Sequence, residues 1–258
     1  MEIKFDNVCY KNKMVNASFK INQKKINGVY NYNVFLKILT NPRLIDKGNI
    51  FIDGKLYRNI DLNTISIINK EKDFYTSKVI DEILFYAKVR NYKTKTIKKE
   101  ITEWLKEFNL DESILKRIGH SLSTTEKYFI KIIANLITKP SIVIFKDIMN
   151  GIDYNNKKII KNIINKLKEQ GTLVILTSMD SNILYELTEE IFIFDKGKLL
   201  INGNTNEVYT NIEKLLDNKI DVPYFSLLTY KANKEKGANL FYRKDVRDVI
   251  KDVYKSVS

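Results

Sequence analysis

Four consecutive apolar residues, Ile142-Val143-Ile144-Phe145, set between Pro140-Ser141 and Lys146-Asp147, constrain the fold of this chain more than any other segment. A strand with one wet face alternates polar and apolar residues. One that does not alternate has both faces covered, as in a parallel sheet with a layer packed on each side. The flanks repeat the argument. A helical pattern from about Thr125 to Thr138 precedes the run; helix (154–170), strand (172–177), helix (about 181–188) and strand (191–194) follow it. Strands separated by helices are joined by parallel crossovers, so this half of the chain predicts an α/β sheet.

The first 55 residues read differently. Ile3-Lys4-Phe5, Ala17-Ser18-Phe19-Lys20-Ile21 and Lys25-Ile26-Asn27-Gly28-Val29 are short alternating bursts between polar turns, which predicts antiparallel strands. Val34 to Leu39 predicts a short helix ending near Asn41-Pro42, and Gly48 to Lys55 a hairpin. From about Ser77 to Leu115 the pattern is helical: Val79, Ile80, Ile83, Leu84 and Ala87, then Ile97, Ile101, Trp104, Leu105 and Phe108, recur at helical spacing. Beyond residue 212, Asp221-Val222-Pro223 interrupts a helical stretch and a Lys-rich amphipathic tail runs from Asp245 to Val257. We therefore expect an α/β unit over 1–212, with a helical insert at about 77–138, and a helical appendage over 213–258. No repeat of 20–50 residues is visible.

Composition narrows the function classes. With 258 residues, 44% of them hydrophobic, the chain can bury a sizeable core. Its +13 charge comes from 44 Lys and Arg against 31 Asp and Glu. The lysines are spread through every segment, so nucleic acid is not the expected partner, although a basic surface favours anionic headgroups. Cys9 stands alone, which excludes an intramolecular disulfide, and the lone His120 excludes a multi-histidine metal site and reads as a surface or helix-start residue. Met1-Glu2-Ile3-Lys4-Phe5-Asp6 has no apolar core and is not read as a signal peptide. No apolar run approaches the ~20 residues of a membrane span. A role at a membrane would need another subunit to hold the chain there.

Three strings carry a resemblance. Asp195-Lys196-Gly197-Lys198-Leu199-Leu200-Ile201-Asn202-Gly203 reads as strand–turn–strand; Leu122-Ser123-Thr124-Thr125-Glu126-Lys127 opens a helix; Gly151-Ile152-Asp153 follows the buried strand. In their order and setting, residues 2–210 resemble the ATP-binding subunits of ABC transporters. The second string is similar to the family's LSGGE/Q signature, the third to its D-loop. Asp221-Val222-Pro223 and the helical stretch after it look like the C-terminal region of energy-coupling factor ATP-binding subunits. The resemblance implies a P-loop NTPase core with a parallel sheet, N-terminal antiparallel strands and a helical subdomain.

It also implies an ATP and Mg²⁺ site whose stations can be read one by one. A phosphate loop needs small residues so that backbone N–H groups curl around phosphates, a Lys for the β/γ-phosphates and a hydroxyl for Mg²⁺. Laid residue for residue on the family's GxxGxGKST, the chain offers Gly28, Asn31, Asn33, Val34, Phe35 and Leu36. Asn tolerates positive φ best among non-Gly residues, so Asn31 and Asn33 would keep the loop's shape. Val34 and Phe35 supply neither ammonium nor hydroxyl, and Phe35 would fill the metal position with apolar bulk. Losing two charge-assisted contacts, at roughly 1.5–3 kcal/mol each, implies ATP affinity weaker by about 10²–10⁴-fold. The family's Asp-Glu after the buried strand becomes Lys146-Asp147, which reverses the charge at the metal station. Asp147 still presents a carboxylate, one methylene shorter, as the candidate base. The Q-loop glutamine falls on Lys70, in Ile68-Asn69-Lys70-Glu71, and the switch histidine on Met179. The adenine-stacking aromatic falls on Asn12, with Tyr10 two residues earlier as a stand-in. In the signature, Thr124 and Thr125 replace two glycines while Ser123 and Glu126 remain; Asp153 keeps the D-loop position.

One such change is ordinary drift. All of them together, on strands that still match, predict a scaffold that stayed while its catalysis was lost. The expectation is a pseudo-ATPase, peripheral at the cytoplasmic face of the membrane, pairing with an intact ATPase and docking on a transmembrane transporter subunit. A heterodimer is favoured, because a homodimer would hold two altered sites. One alternative is a divergent but active ATPase that uses Asp147 as base, with Lys70 and Lys146 on the phosphates. Another is a soluble regulatory or nucleic-acid-binding protein reusing the scaffold.

Overall fold

The computed structural model describes residues 1–59, 63–70, 73–93, 95–147, 149, 151–244 and 246–257. Glu71 and Asp245, named above, lie outside them. The strands are β1 (Glu2–Tyr10), β2 (Met14–Asn22), β3 (Asn27–Tyr30), β4 (Lys47–Ile52), β5 (Lys55–Leu56), β6 (Ile65–Asn69), β7 (Ile142–Lys146), β8 (Leu173–Ser178), β9 (Glu190–Asp195) and β10 (Lys198–Asn204). The helices are α1 (Asn33–Thr40), α2 (Val79–Val89), α3 (Ile97–Glu107), α4 (Thr124–Leu136), α5 (Tyr154–Glu169), α6 (Ser181–Leu187), α7 (Thr205–Val208), α8 (Ile212–Asp217), α9 (Tyr224–Lys236) and α10 (Val246–Val257).

Two sheets form. The smaller is antiparallel in the order β2-β1-β4-β5. The larger runs β10-β9-β3-β8-β7-β6, parallel from β9 to β6, with β10 antiparallel at its edge. The unbroken apolar run of β7 is explained by what covers each face. Val143 and Phe145 enter a core shared with α2 to α6, while Ile142 and Ile144 enter a second core shared with α1 and the antiparallel sheet. The neighbours divide in the same way. Val174 and Leu176 of β8 and Ile191 and Ile193 of β9 face the helical side; Leu173, Ile175, Phe192 and Phe194 face the other. Each fully buried side chain of this kind contributes roughly 1.5–3 kcal/mol.

One element was expected otherwise. The segment at 25–29, grouped by alternation with the antiparallel strands, is instead the central parallel strand, with Gly28 paired to Leu176 on one side and Ile191 on the other. Its polar Asn27 produced the misreading. That residue is fully buried, and its Nδ2 donates to the carbonyls of Asn22 (2.9 Å), Lys25 (2.7 Å) and Val174 (3.2 Å). A polar side chain whose amide nitrogen is bonded inside a two-sided strand imitates the alternation of a one-sided one.

The helical pattern expected over 77–115 resolves into α2, α3 and a 3₁₀ turn at Glu112–Lys116. The segment beyond α8 is tied to α6 and the residue that ends it. Ser181 Oγ donates to Asp221 Oδ2 at 2.8 Å, the Tyr224 N–H to Asn182 Oδ1 at 2.9 Å, and Lys244 Nζ to the Thr188 carbonyl at 2.7 Å.

Candidate functional site

In an open parallel sheet, ligands bind outside the carboxyl ends of the strands, where neighbouring connections diverge. Here that edge is formed by the ends of β3, β8, β7 and β6, the positions where the sequence places its altered stations. The β3–α1 connection is short. Gly28, Val29 and Tyr30 are all ladder residues, paired with Leu176–Ser178 and Ile191–Ile193, and α1 begins at Asn33. Only Asn31 and Tyr32 lie between. Asn31 takes the left-handed conformation at φ 58°, and its Nδ2 donates to the Phe194 carbonyl at 3.1 Å, pinning the turn to β9. Asn33 is the first residue of α1 and takes no positive φ, so it has no part in shaping the turn.

Two further readings are corrected. Phe35, expected over the metal position, points the other way. It is 1% exposed in the core beneath the sheet, its ring stacked on Phe5 (centroids 5.6 Å apart) and Phe194 (6.4 Å). The physical reason is helical phase: Phe35, Ile38 and Leu39 form the apolar stripe that α1 buries, which fixes the rotation of the helix. Val34 and Leu36 pack partly buried against the same core. Tyr10, considered as an adenine stand-in, is 3% exposed in that core, so no base can reach its face. Gly28 lies within the strand, and a Cβ there would meet Thr188 Cγ2 at 2.9 Å. Close packing of β3 against Thr188 accounts for the glycine.

At the end of β7, Lys146 is partly buried, and Asp147 takes φ 50° while its N–H donates to the Thr177 carbonyl at 3.0 Å. The phenol of Tyr32 donates to Asp147 Oδ2. Tyr32 is 5% exposed. Beside them Tyr128 is fully buried with its hydroxyl unpartnered, and its phenol is pushed well up, by burial first and then by the Asp147 charge. Lys70 follows β6, the neighbour of β7, and its ammonium lies 3.5 Å from where a Gly151 Cβ would stand. The structure thus brings Lys70, Lys146 and the Gly151 turn to adjoining strand ends. Met179 follows β8 and is 48% exposed.

The signature string lies elsewhere on the chain, at the start of α4. Ser123 caps that helix: its Oγ accepts from the Glu126 N–H at 3.1 Å, and Glu126 Oε2 accepts from the Ser123 N–H at 2.7 Å. Arg117 pairs with Glu126 at 2.8 Å. The Glu126 carboxyl is held below its ordinary value by the Ser123 N–H first, with the Ser123 hydroxyl and Arg117 adding to that. Ser123 is exposed and Thr125 partly so, in the first turn. Asp153 caps α5, accepting from the Asn156 N–H at 3.0 Å, and His120 is exposed.

Tyr32 is the site residue that the sequence reading missed. A signal was present: Phe35, Ile38 and Leu39 fix the phase of α1, and with β3 running to Tyr30 only Asn31 and Tyr32 stand outside strand and helix.

No protein-family profile matches the chain. Among solved structures, cbiO1 from Clostridium perfringens, part of the ABC transporter complex cbiONQ, superposes with a TM-score of 0.71 at 17% identity, covering 88% of this chain and 98% of that one. The fold is therefore that of an ABC ATPase. The uncharacterized ABC transporter ATP-binding protein YhaQ of Bacillus subtilis is 26% identical over 171 residues, which span 66% of this chain and 57% of that protein. The energy-coupling factor transporter ATP-binding protein EcfA1 of Mycoplasma genitalium is 30% identical over 203 residues, 76% of this chain and 73% of that protein. The chain belongs to the family of ABC transporter ATP-binding proteins.

Proposed function

We propose that the chain is an ABC-transporter nucleotide-binding-type subunit that no longer hydrolyses ATP, pairs with an intact ATPase and docks on a transmembrane subunit at the cytoplasmic face of a membrane. The observation that carries this reading is the length of the β3–α1 connection. With Gly28 to Tyr30 committed to the sheet only Asn31 and Tyr32 remain outside strand and helix, so the N–H groups open to a phosphate are those of this two-residue turn and the first turn of α1. The residues present do not fit Mg-ATP: Val34 and Phe35 face the core, Lys146 brings positive charge to the metal station, and Asp147 is bonded to Tyr32.

The partner roles follow from the family. Ser123 at the exposed start of α4 is the group this chain would present to a partner's nucleotide, flanked by Thr124 and Thr125. A cavity of about 450 Å³ between β6, α2 and α4, lined by Tyr75, Phe85, Tyr86, Arg90, Lys131 and Asn135, is the surface we assign to the transmembrane subunit. We take residues 1–212 as the ATPase-like unit and 213–258 as its helical appendage. Among the described residues no helix is long and apolar enough to cross a membrane, so attachment is through that partner. Energy-coupling factor transport is the branch that the Mycoplasma relative supports.

Isothermal titration of the isolated chain with Mg-ATP, alongside a phosphate-release assay, tests the loss of hydrolysis. No turnover and no micromolar binding are expected; micromolar binding with turnover that disappears in Asp147→Ala would establish the divergent-ATPase reading instead.

A further inference from the structure

We infer that Tyr32 is a built-in occupant of the nucleotide position: its buried phenol, bonded to Asp147, closes the crevice at the carboxyl edge of the sheet and keeps nucleotide out at any ATP concentration. The inference deepens the proposed loss of ATP handling and rests on it.

The geometry is specific. Tyr32 is the last residue before α1, and its carbonyl accepts the Leu36 N–H at 2.8 Å, so its backbone stands where the first free N–H groups of the helix converge. That is the place an anion takes at a helix N-terminus. Its side chain does not leave for solvent. It runs to Asp147 at the end of β7, although β8 lies between β3 and β7. Two inter-strand spacings separate those strand ends by about 9–10 Å. A tyrosine that reaches across this gap lies over the end of β8, along the path phosphates would follow from the helix N-terminus to the β7 carboxylate. At 5% exposure the ring leaves little room beside it, packed against the core that α1 shares with the antiparallel sheet. Asp147 keeps its carboxylate, but the partner it holds is the chain's own hydroxyl.

A site filled from within does not change state with the ATP level. This half of a dimer would then stay fixed while the partner's half responds to nucleotide, so that the cycle belongs to one subunit alone.

The test is Mg-ATP titration of the full chain and of Tyr32→Gly, with folding checked by circular dichroism. Tyr32→Gly is expected to bind at least tenfold more tightly than the unsubstituted chain; equal binding by a folded variant overturns the inference. Should Tyr32→Gly not fold, urea unfolding of Tyr32→Phe, Asp147→Ala and the double variant decides. The two changes are expected to depart from additivity by about fivefold or more in the unfolding constant. Additivity within about twofold overturns the inference. Equal binding by Tyr32→Gly leaves the proposed pseudo-ATPase standing, whereas turnover by the unsubstituted chain removes both, so the two failures are distinguishable.

Discussion

The two halves of an ABC nucleotide site have fared differently in this chain. At the strand-end half, formed by the β3–α1 turn and the end of β7, two residues join strand to helix and Tyr32 is bonded to Asp147. At the signature half, Ser123 and Glu126 remain and form a reciprocal pair of hydrogen bonds. The contrast has a physical cause that owes nothing to ATP. Ser123 and Glu126 make a capping box that satisfies two backbone donors at the start of α4, so the fold itself holds them in place. A phosphate loop serves no such purpose, since its N–H groups are left unpaired for a ligand. Retention of a motif residue is therefore evidence of function only where the fold has no use for it.

The largest effect should come from rebuilding a motif residue where the scaffold has taken over. Phe35→Ser restores the hydroxyl that a residue-for-residue reading places at the metal. Because Phe35 is 1% exposed between Phe5 and Phe194, the substitution is expected to cost about 3–5 kcal/mol in urea unfolding and to bring no Mg²⁺ binding. A cost under about 1 kcal/mol would mean that the ring faces the crevice, and the separation of core from site at α1 would be lost.

Next in size is the cap. Ser123→Ala should lower stability by about 1 kcal/mol, and Ser123→Asp, which can still accept from the Glu126 N–H, should recover most of it in thermal unfolding. No loss in Ser123→Ala would reopen a purely nucleotide-directed role for the residue. The same motif gives a smaller effect of defined sign in acid. The folded Glu126 carboxyl sits below its ordinary value of 4.5, chiefly through the Ser123 N–H, so its contribution is complete above that pH. It is lost as the pH falls through the lower folded value. Glu126→Gln should flatten that part of the stability–pH profile, and an unchanged acid slope would show that the capping carboxylate contributes nothing through its charge.

How much was legible in the sequence follows the same division. The unalternating Ile142–Phe145 run announced a strand covered on both faces, and the ordering of strands and helices announced the α/β sheet, because burial writes itself directly into residue type. Asn27 defeated the rule locally, being polar and buried with its Nδ2 donating to three carbonyls, so that a central strand looked like an edge one. The site was harder to read, since matching residues one to one does not show where β3 ends and α1 begins. The phase of Phe35, Ile38 and Leu39 held the missing information, but only in combination with the end of β3. The reach of Tyr32 to Asp147, 115 positions away, has no local signature at all.

The smallest predicted effect separates the halves most cleanly. Met179, on which the sequence places the switch histidine, follows β8 and is 48% exposed, outside both cores. Met179→His should therefore change stability by no more than about ±0.5 kcal/mol, as for surface substitutions generally. It restores a station that demands neither a longer loop nor a repacked helix. If the altered half had lost only a γ-phosphate sensor, this substitution would recover phosphate release. If the short turn and the Tyr32–Asp147 bond exclude nucleotide upstream of any sensor, release stays at background while the protein remains fully folded. We expect background. Measurable turnover from Met179→His would show that phosphates still enter the crevice, and the β3–α1 turn would have to open in solution to admit them.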